Sequence, residues 1–120
     1  MQYMLMIYGN EANMMKASEA TRNQMSAAYG AYTQAMQAAG VIRGGERLRP
    51  TSTATTVRVS DGKSQVLDGP YAEAKEQLGG YYLIDVPDLD AALSWAARCP
   101  GAQHGVIEVR PIWPMAMPNA

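Results

Sequence analysis

At 120 residues and 13.0 kDa the chain is sized for one domain, and at that length folding removes roughly two thirds of the surface that the unfolded chain exposes. Ten Lys and Arg stand against eleven Asp and Glu, with an isoelectric point near 5.7, so no long-range field draws nucleic acid or an anionic membrane. The lone Cys99 excludes an internal disulfide, and no His or second Cys lies near it at metal-ligand spacing, so no zinc site is expected and a reducing cytoplasm is the natural setting.

The opening "MQYMLMIYGN" has no basic leader, and its apolar run is far shorter than the ~20 residues that span a bilayer. Tyr3 to Tyr8 reads as a buried strand that Gly9 and Asn10 break. The nine methionines, in a chain without Phe, read as core filling rather than as metal ligands, because Met adapts to irregular gaps. A long amphipathic helix follows, starting at Ser18 or at Thr21, where Thr21 and Gln24 have capping-box spacing. Met25, Tyr29, Tyr32 and Met36 recur on its apolar face, and Gly40 closes it.

"VIRGGERLRP" begins as a second strand, in which Gly44 and Gly45 mark either a bulge or a close approach of another backbone or a ligand, and Pro50 ends it. "TATTVRVSDGKSQVLDG" alternates around Asp61-Gly62, the pair preferred in two-residue type I′ hairpins, and that register sets Val57 opposite Val66 and Arg58 opposite Gln65. "GYYLIDV" is a further strand. Asp88 then caps a short helix, Leu89 to Arg98, with Leu89, Ala92, Leu93 and Ala96 as its inward stripe. "GVIEVRPI" is the last strand, with Ile107 and Val109 on one face and Glu108 and Arg110 on the other.

This order is an α+β, split βαβ pattern with an inserted β-hairpin, and right-handed crossovers place two helices on one face of an antiparallel sheet. The other face then poses a problem. Tyr3, Leu5 and Ile7 alternate with Met4, Met6 and Tyr8, and Tyr81 and Leu83 with Tyr82 and Ile84, so both sides of these strands are apolar. A homodimer that closes sheet against sheet resolves it. In "PIWPMAMPNA", Pro111, Pro114 and Pro118 break regular structure while Trp113, Met115 and Met117 seek burial, either on the partner subunit or back on their own chain.

His104, before the last strand, is a candidate general base, or else a solvated loop residue. Cys99 ends an amphipathic helix beside Pro100 with no evident positive partner to lower its pKa and reads as a core or boundary residue, and neither "GGERL" nor "GPYAE" has phosphate-loop spacing. No metal and no cofactor is expected. The topology can bring together Asp68, Tyr71, Glu73 and Lys75 from one loop, Arg43 and Glu46 beside the double glycine, and Glu108 and Arg110 from the last strand. These are either ion pairs satisfied among themselves or the lining of a small cavity. In the second reading a buried carboxylate, with Asp68 and Glu73 as candidates beside His104, is acid or base, while an arginine or lysine holds an anion.

The stretch "DGPYAEAKEQLGGYYLIDV", with "GGERLRP" before it and "DLDAALSWAARCPGA" and "VIEVRPI" after it, resembles the YCII-related family in its DGPF-type branch over nearly the whole chain. The resemblance implies a ferredoxin-like domain that pairs as a dimeric α/β barrel. Onto this sequence it carries Gly44, Gly45 and Glu46 from one motif and Asp68, Gly69, Pro70, Glu73 and Lys75 from the other. Tyr71 stands where the branch has Phe, and the first helix has no His, so the His and Asp pair suggested as catalytic in other members is not carried over. The function expected is binding or conversion of a small polar molecule in a cleft at the dimeric sheet face, bordered by Arg43, Glu46, Asp68, Tyr71, Glu73, Lys75 and Arg110. The alternative that the resemblance implies is a regulatory accessory protein partnering a sigma factor.

Overall fold

The computed structural model describes residues 1–115, with elements in the order β1 (Gln2–Gly9), α1 (Glu11–Lys16), α2 (Glu19–Ala38), β2 (Ile42–Arg47), β3 (Thr55–Ser60), β4 (Lys63–Asp68), β5 (Gln77–Asp85), α3 (Leu89–Arg98) and β6 (Val106–Pro111). Four strands form one antiparallel sheet in the order β2-β5-β1-β6. Tyr32 and Met36 of α2 and Ala92 and Ala96 of α3 share the core with Tyr3, Leu5 and Ile84 of the sheet. The arrangement is consistent with the ferredoxin-like fold. No helix among the described residues is long and apolar enough to cross a membrane.

Local chemistry sets the element ends. Ser18 Oγ, and not Thr21, caps α2 by accepting from the Thr21 N–H at 3.1 Å. At its other end Gly40, at φ +70°, lets the chain turn back. The Gly40 N–H donates to Gln37 O and the Val41 N–H to Met36 O, the two bonds of a Schellman motif. Asp88 caps α3 by accepting from the Ala91 N–H at 2.9 Å.

Two expectations need correction. A third helix, α1, fills what reads in the sequence as a loop. Asn10 accepts from the Asn13 N–H to start it, and the Arg22 guanidinium donates to Ala17 O to close it. On α3 the leucines are not inward, since Leu89 and Leu93 are half exposed while Ala92, Ala96 and Cys99 are buried. Small side chains bring the helix close to the sheet and tip the leucines to the rim. Of the tail residues expected to bury on the partner subunit or on their own chain, Trp113 and Met115 are exposed, and Met117 lies outside the described residues.

The hairpin keeps its expected register, Val57 opposite Val66 and Arg58 opposite Gln65, around Asp61 and Gly62 at φ 52° and 74°. It does not join the main sheet, however, and forms a separate two-stranded arm. Its root is fastened to α1. The Glu11 carboxylate accepts from the Thr51 N–H at 2.8 Å and from Thr51 Oγ1 at 2.7 Å, and the Glu11 N–H donates to Gln77 Oε1 at 3.0 Å.

At the double glycine both expected features occur. Arg43 is the bulged residue, because Ile42 pairs with Ile84 and Gly44 with Leu83. Gly45 lies so close to β5 that an added Cβ would stand 2.8 Å from the Tyr82 ring and 2.9 Å from Tyr81 O. Gly45→Ala is therefore expected to destabilise the fold by about 1–3 kcal/mol, the usual range for forcing extra bulk into a packed contact. Urea unfolding followed by circular dichroism measures it, and an unchanged midpoint refutes the close approach.

Candidate functional site

The helix-free face of the main sheet gathers side chains in register rows. One row runs Glu46, Tyr81, Met6, Glu108 across β2, β5, β1 and β6, and the next runs Gly44, Leu83, Met4, Arg110. Leu78, Tyr8 and Val106 form a third row. The alternation of each strand dictates the pattern, since residues two apart share a face. Met4, Met6, Tyr8, Tyr81 and Leu83 are only partly covered here, whereas Tyr3, Leu5 and Ile84 on the helix side are buried. The result is an apolar floor with two carboxylates and one guanidinium at its edges.

A concavity lies at the base of the arm, a recess of about 280 Å³ lined by Thr56, Arg58, Gln65, Leu67, Asp68 and the turn through Tyr71. Gly69 adopts φ +102°, which a side chain would strain, and the turn is tied to β3 by Thr56 Oγ1 donating to Gly69 O at 2.8 Å and by the Gly69 N–H donating to Ala54 O at 2.7 Å. The Tyr71 ring folds back under the Arg58 guanidinium, 5.8 Å from its centroid. Sequence reasoning missed Arg58 as a site residue, although the hairpin register already set it beside Gln65.

A single chain does not assemble the expected cleft as one place. Glu46, Glu108 and Arg110 share the open sheet face, and Asp68 and Tyr71 share the recess. Glu73 and Lys75 are exposed in the loop after it, and His104 is exposed at the end of a 3₁₀ turn, Pro100–Gln103. None of these groups forms an ion pair with another of them, and Arg43 finds its partners outside the set. Its guanidinium donates to Gly40 O at 2.9 Å and stands 3.9 Å from Asp85. Asp85 also accepts from the N-terminal ammonium at 2.9 Å, and this hydrogen bond first, with the nearby charges behind it, holds its carboxyl below the usual carboxylate value. Among the described residues no other ion pair is formed, and no three His, Cys, Asp or Glu side chains converge.

Under the sheet's covered face, buried Cys99 faces the Tyr29 hydroxyl at 3.9 Å, Tyr32 Oη donates to Trp95 O at 2.7 Å, and Thr33 and Tyr82 share a hydrogen bond of 2.9 Å. Burial pushes the Cys99 thiol and the Tyr29 and Tyr32 phenols up, so none is a thiolate or phenolate nucleophile at neutral pH. The stability linked to these groups is present below their unfolded values, about 8.5 for Cys and 10 for Tyr, and is lost as pH rises beyond them, because only the unfolded chain then releases the protons. The urea midpoint is expected to fall with pH across that window, less steeply in Tyr29→Phe, while Cys99 in the folded protein resists a thiol reagent. Prompt labelling under native conditions contradicts this.

Residues 1–116 match the YCII-related domain. The chain is also similar, at 39% identity over 118 residues, to an uncharacterized protein of Rhizobium meliloti (strain 1021), with 93% of this chain and 92% of that protein covered. With the split sheet and the motif order from "GGERL" to "VIEVRP", these likenesses establish that the chain belongs to the YCII-related domain family.

Proposed function

We propose that the chain works as a homodimer closed across the open sheet face, as a dimeric α/β barrel, and holds a small polar molecule in the cleft which that closure creates. The observation that carries this reading is the pair of register rows, Glu46-Tyr81-Met6-Glu108 and Gly44-Leu83-Met4-Arg110. The apolar middle of these rows favours cover, and each partly exposed Met, Leu or Tyr gains ~1 kcal/mol on burial. The charged ends oppose a dry closure, because a carboxylate or guanidinium taken from water without a partner is costly. A ligand with an anionic group for Arg110 and hydroxyl or ammonium donors for Glu46 and Glu108 meets both demands.

The turn Asp68-Gly69-Pro70, with Tyr71 in place of Phe, supports placing the chain in the DGPF-type branch. Asp68 and Tyr71 line the recess at the base of the arm, apart from the sheet face of their own chain, and the single reduced, buried Cys99 fits a cytoplasmic setting.

Sedimentation at micromolar concentration is expected to give a species of twice the 13.0 kDa chain mass. Leu83→Asp should weaken the dimer by at least about tenfold, or 1.4 kcal/mol, with the circular dichroism spectrum retained. A thermal-shift screen of small carboxylates and amines tests the ligand, since one present at 100 times its Kd adds about 2.7 kcal/mol. Arg110→Met should abolish the shift given by anionic compounds. A 13 kDa species throughout, with no compound raising the melting temperature, refutes the proposal.

A further inference from the structure

Among the described residues the β3–β4 arm leaves four large aliphatic side chains bare. Val57, Val59 and Val66 lie on one side of it, each at least 61% exposed, and Leu67 lies on the other at 65%. A two-stranded hairpin standing alone in water is marginal at best, so an arm with this composition calls for cover. It also projects. The radius of gyration is 16.7 Å, against about 13.5 Å for a compact chain of this length, and the extents are 49 × 47 × 22 Å.

From this we infer that the arm of each copy lies against the second copy of the chain, with its valine side buried between subunits. The inference rests on the sheet-face dimer proposed above and extends it to a surface outside the sheet. Area is the first reason. Four strands at ~4.8 Å spacing, six to nine residues long at ~3.3 Å each, present a face of only ~460 Å². A stable dimer covers about 800 Å² per partner. The arm, two strands of six residues each, contributes ~200 Å² more on its valine side.

Charge is the second reason. The segment leading to the arm, residues 46–49, carries Arg47 and Arg49 against Glu46, and the segment leaving it, residues 68–76, carries Asp68, Glu73 and Glu76 against Lys75. Within one chain the two segments form no ion pair with each other. In a two-fold dimer the same patch meets itself in reverse, so each arginine-rich root is offered the acidic root of the other copy. A second copy therefore supplies apolar area and opposite charge together.

Amide hydrogen exchange on the full chain, over a dilution series through the dimer transition, tests this without any mutation. Amides at positions 57–59 and 64–67 are expected to slow by at least about tenfold as the dimer forms, because a free hairpin opens readily. Arm amides that stay fast while the chain sediments as a dimer overturn the arm's role and leave the sheet-face dimer standing. A chain monomeric at every concentration overturns both. Protection that does not change with concentration, or that appears only on adding a different protein, overturns the assignment to a second copy. As a second readout, Val57→Lys with Val66→Lys should raise the dimer dissociation constant at least tenfold with the circular dichroism spectrum unchanged, and an unaltered constant rejects the inference.

Discussion

Strand β1 is apolar on both faces, and among the described residues the chain covers only one of them. Tyr3, Leu5 and Ile7 meet α2 and α3, and this single layer of helices makes the core. Met4, Met6 and Tyr8 meet no second layer among the described residues. A strand at the centre of a sheet, with β5 on one side and β6 on the other, cannot turn its second face away, because its alternation is fixed by the pairing of both neighbours. The open face is thus a necessary product of the same register that builds the core.

The polar groups acquire their arrangement from that constraint. Glu46, Glu108 and Arg110 sit on the open face because Arg47, Ile107 and Val109, their neighbours in sequence, take the other side. Edge strands β2 and β6 carry the charges and the inner strands carry Tyr81, Leu83, Met4 and Met6, so polarity increases from the middle of the sheet to its rim. On the covered side the polar atoms are few and satisfied. Tyr32 is held to Trp95 O and Tyr82 to Thr33, and among the described residues no buried side-chain nitrogen or oxygen lacks a partner. Chemistry that needs a free polar group has the open face and the arm to draw on, but not the interior.

Local rules made much of this legible in the sequence. Asp61-Gly62 fixed the hairpin register, Gly40 the end of α2, Asp88 the start of α3, and the strand alternations the split sheet and its two-sided β1. What spacing left hidden depends on long-range contact. Helix α1 is six residues long and buries none of them, so it leaves no periodic stripe to read. The arc of α3 that faces inward is decided by how closely Ala92 and Ala96 let it approach the sheet, which a list of apolar positions does not encode. Asp68, Tyr71, Glu73 and Lys75 stand out in the sequence, with Arg43, Glu46, Glu108 and Arg110, by their polarity alone. Their division between sheet face, recess and loop follows from where the arm leaves the body, and nothing within residues 68 to 75 specifies that.

The fastening of Glu11 to Thr51 and Gln77 bears on how the arm is aimed. Thr51 lies just before the arm and Gln77 opens the strand after it, so the chain enters and leaves the arm past one residue of α1. The arm's root is thus held by a helix that contributes no buried residue to the core. Gln77 is at the same time paired with Gly9 in the main sheet, so the direction in which the arm leaves is set jointly by the sheet and by α1. In this fold the short helix aims an element that it does not bury.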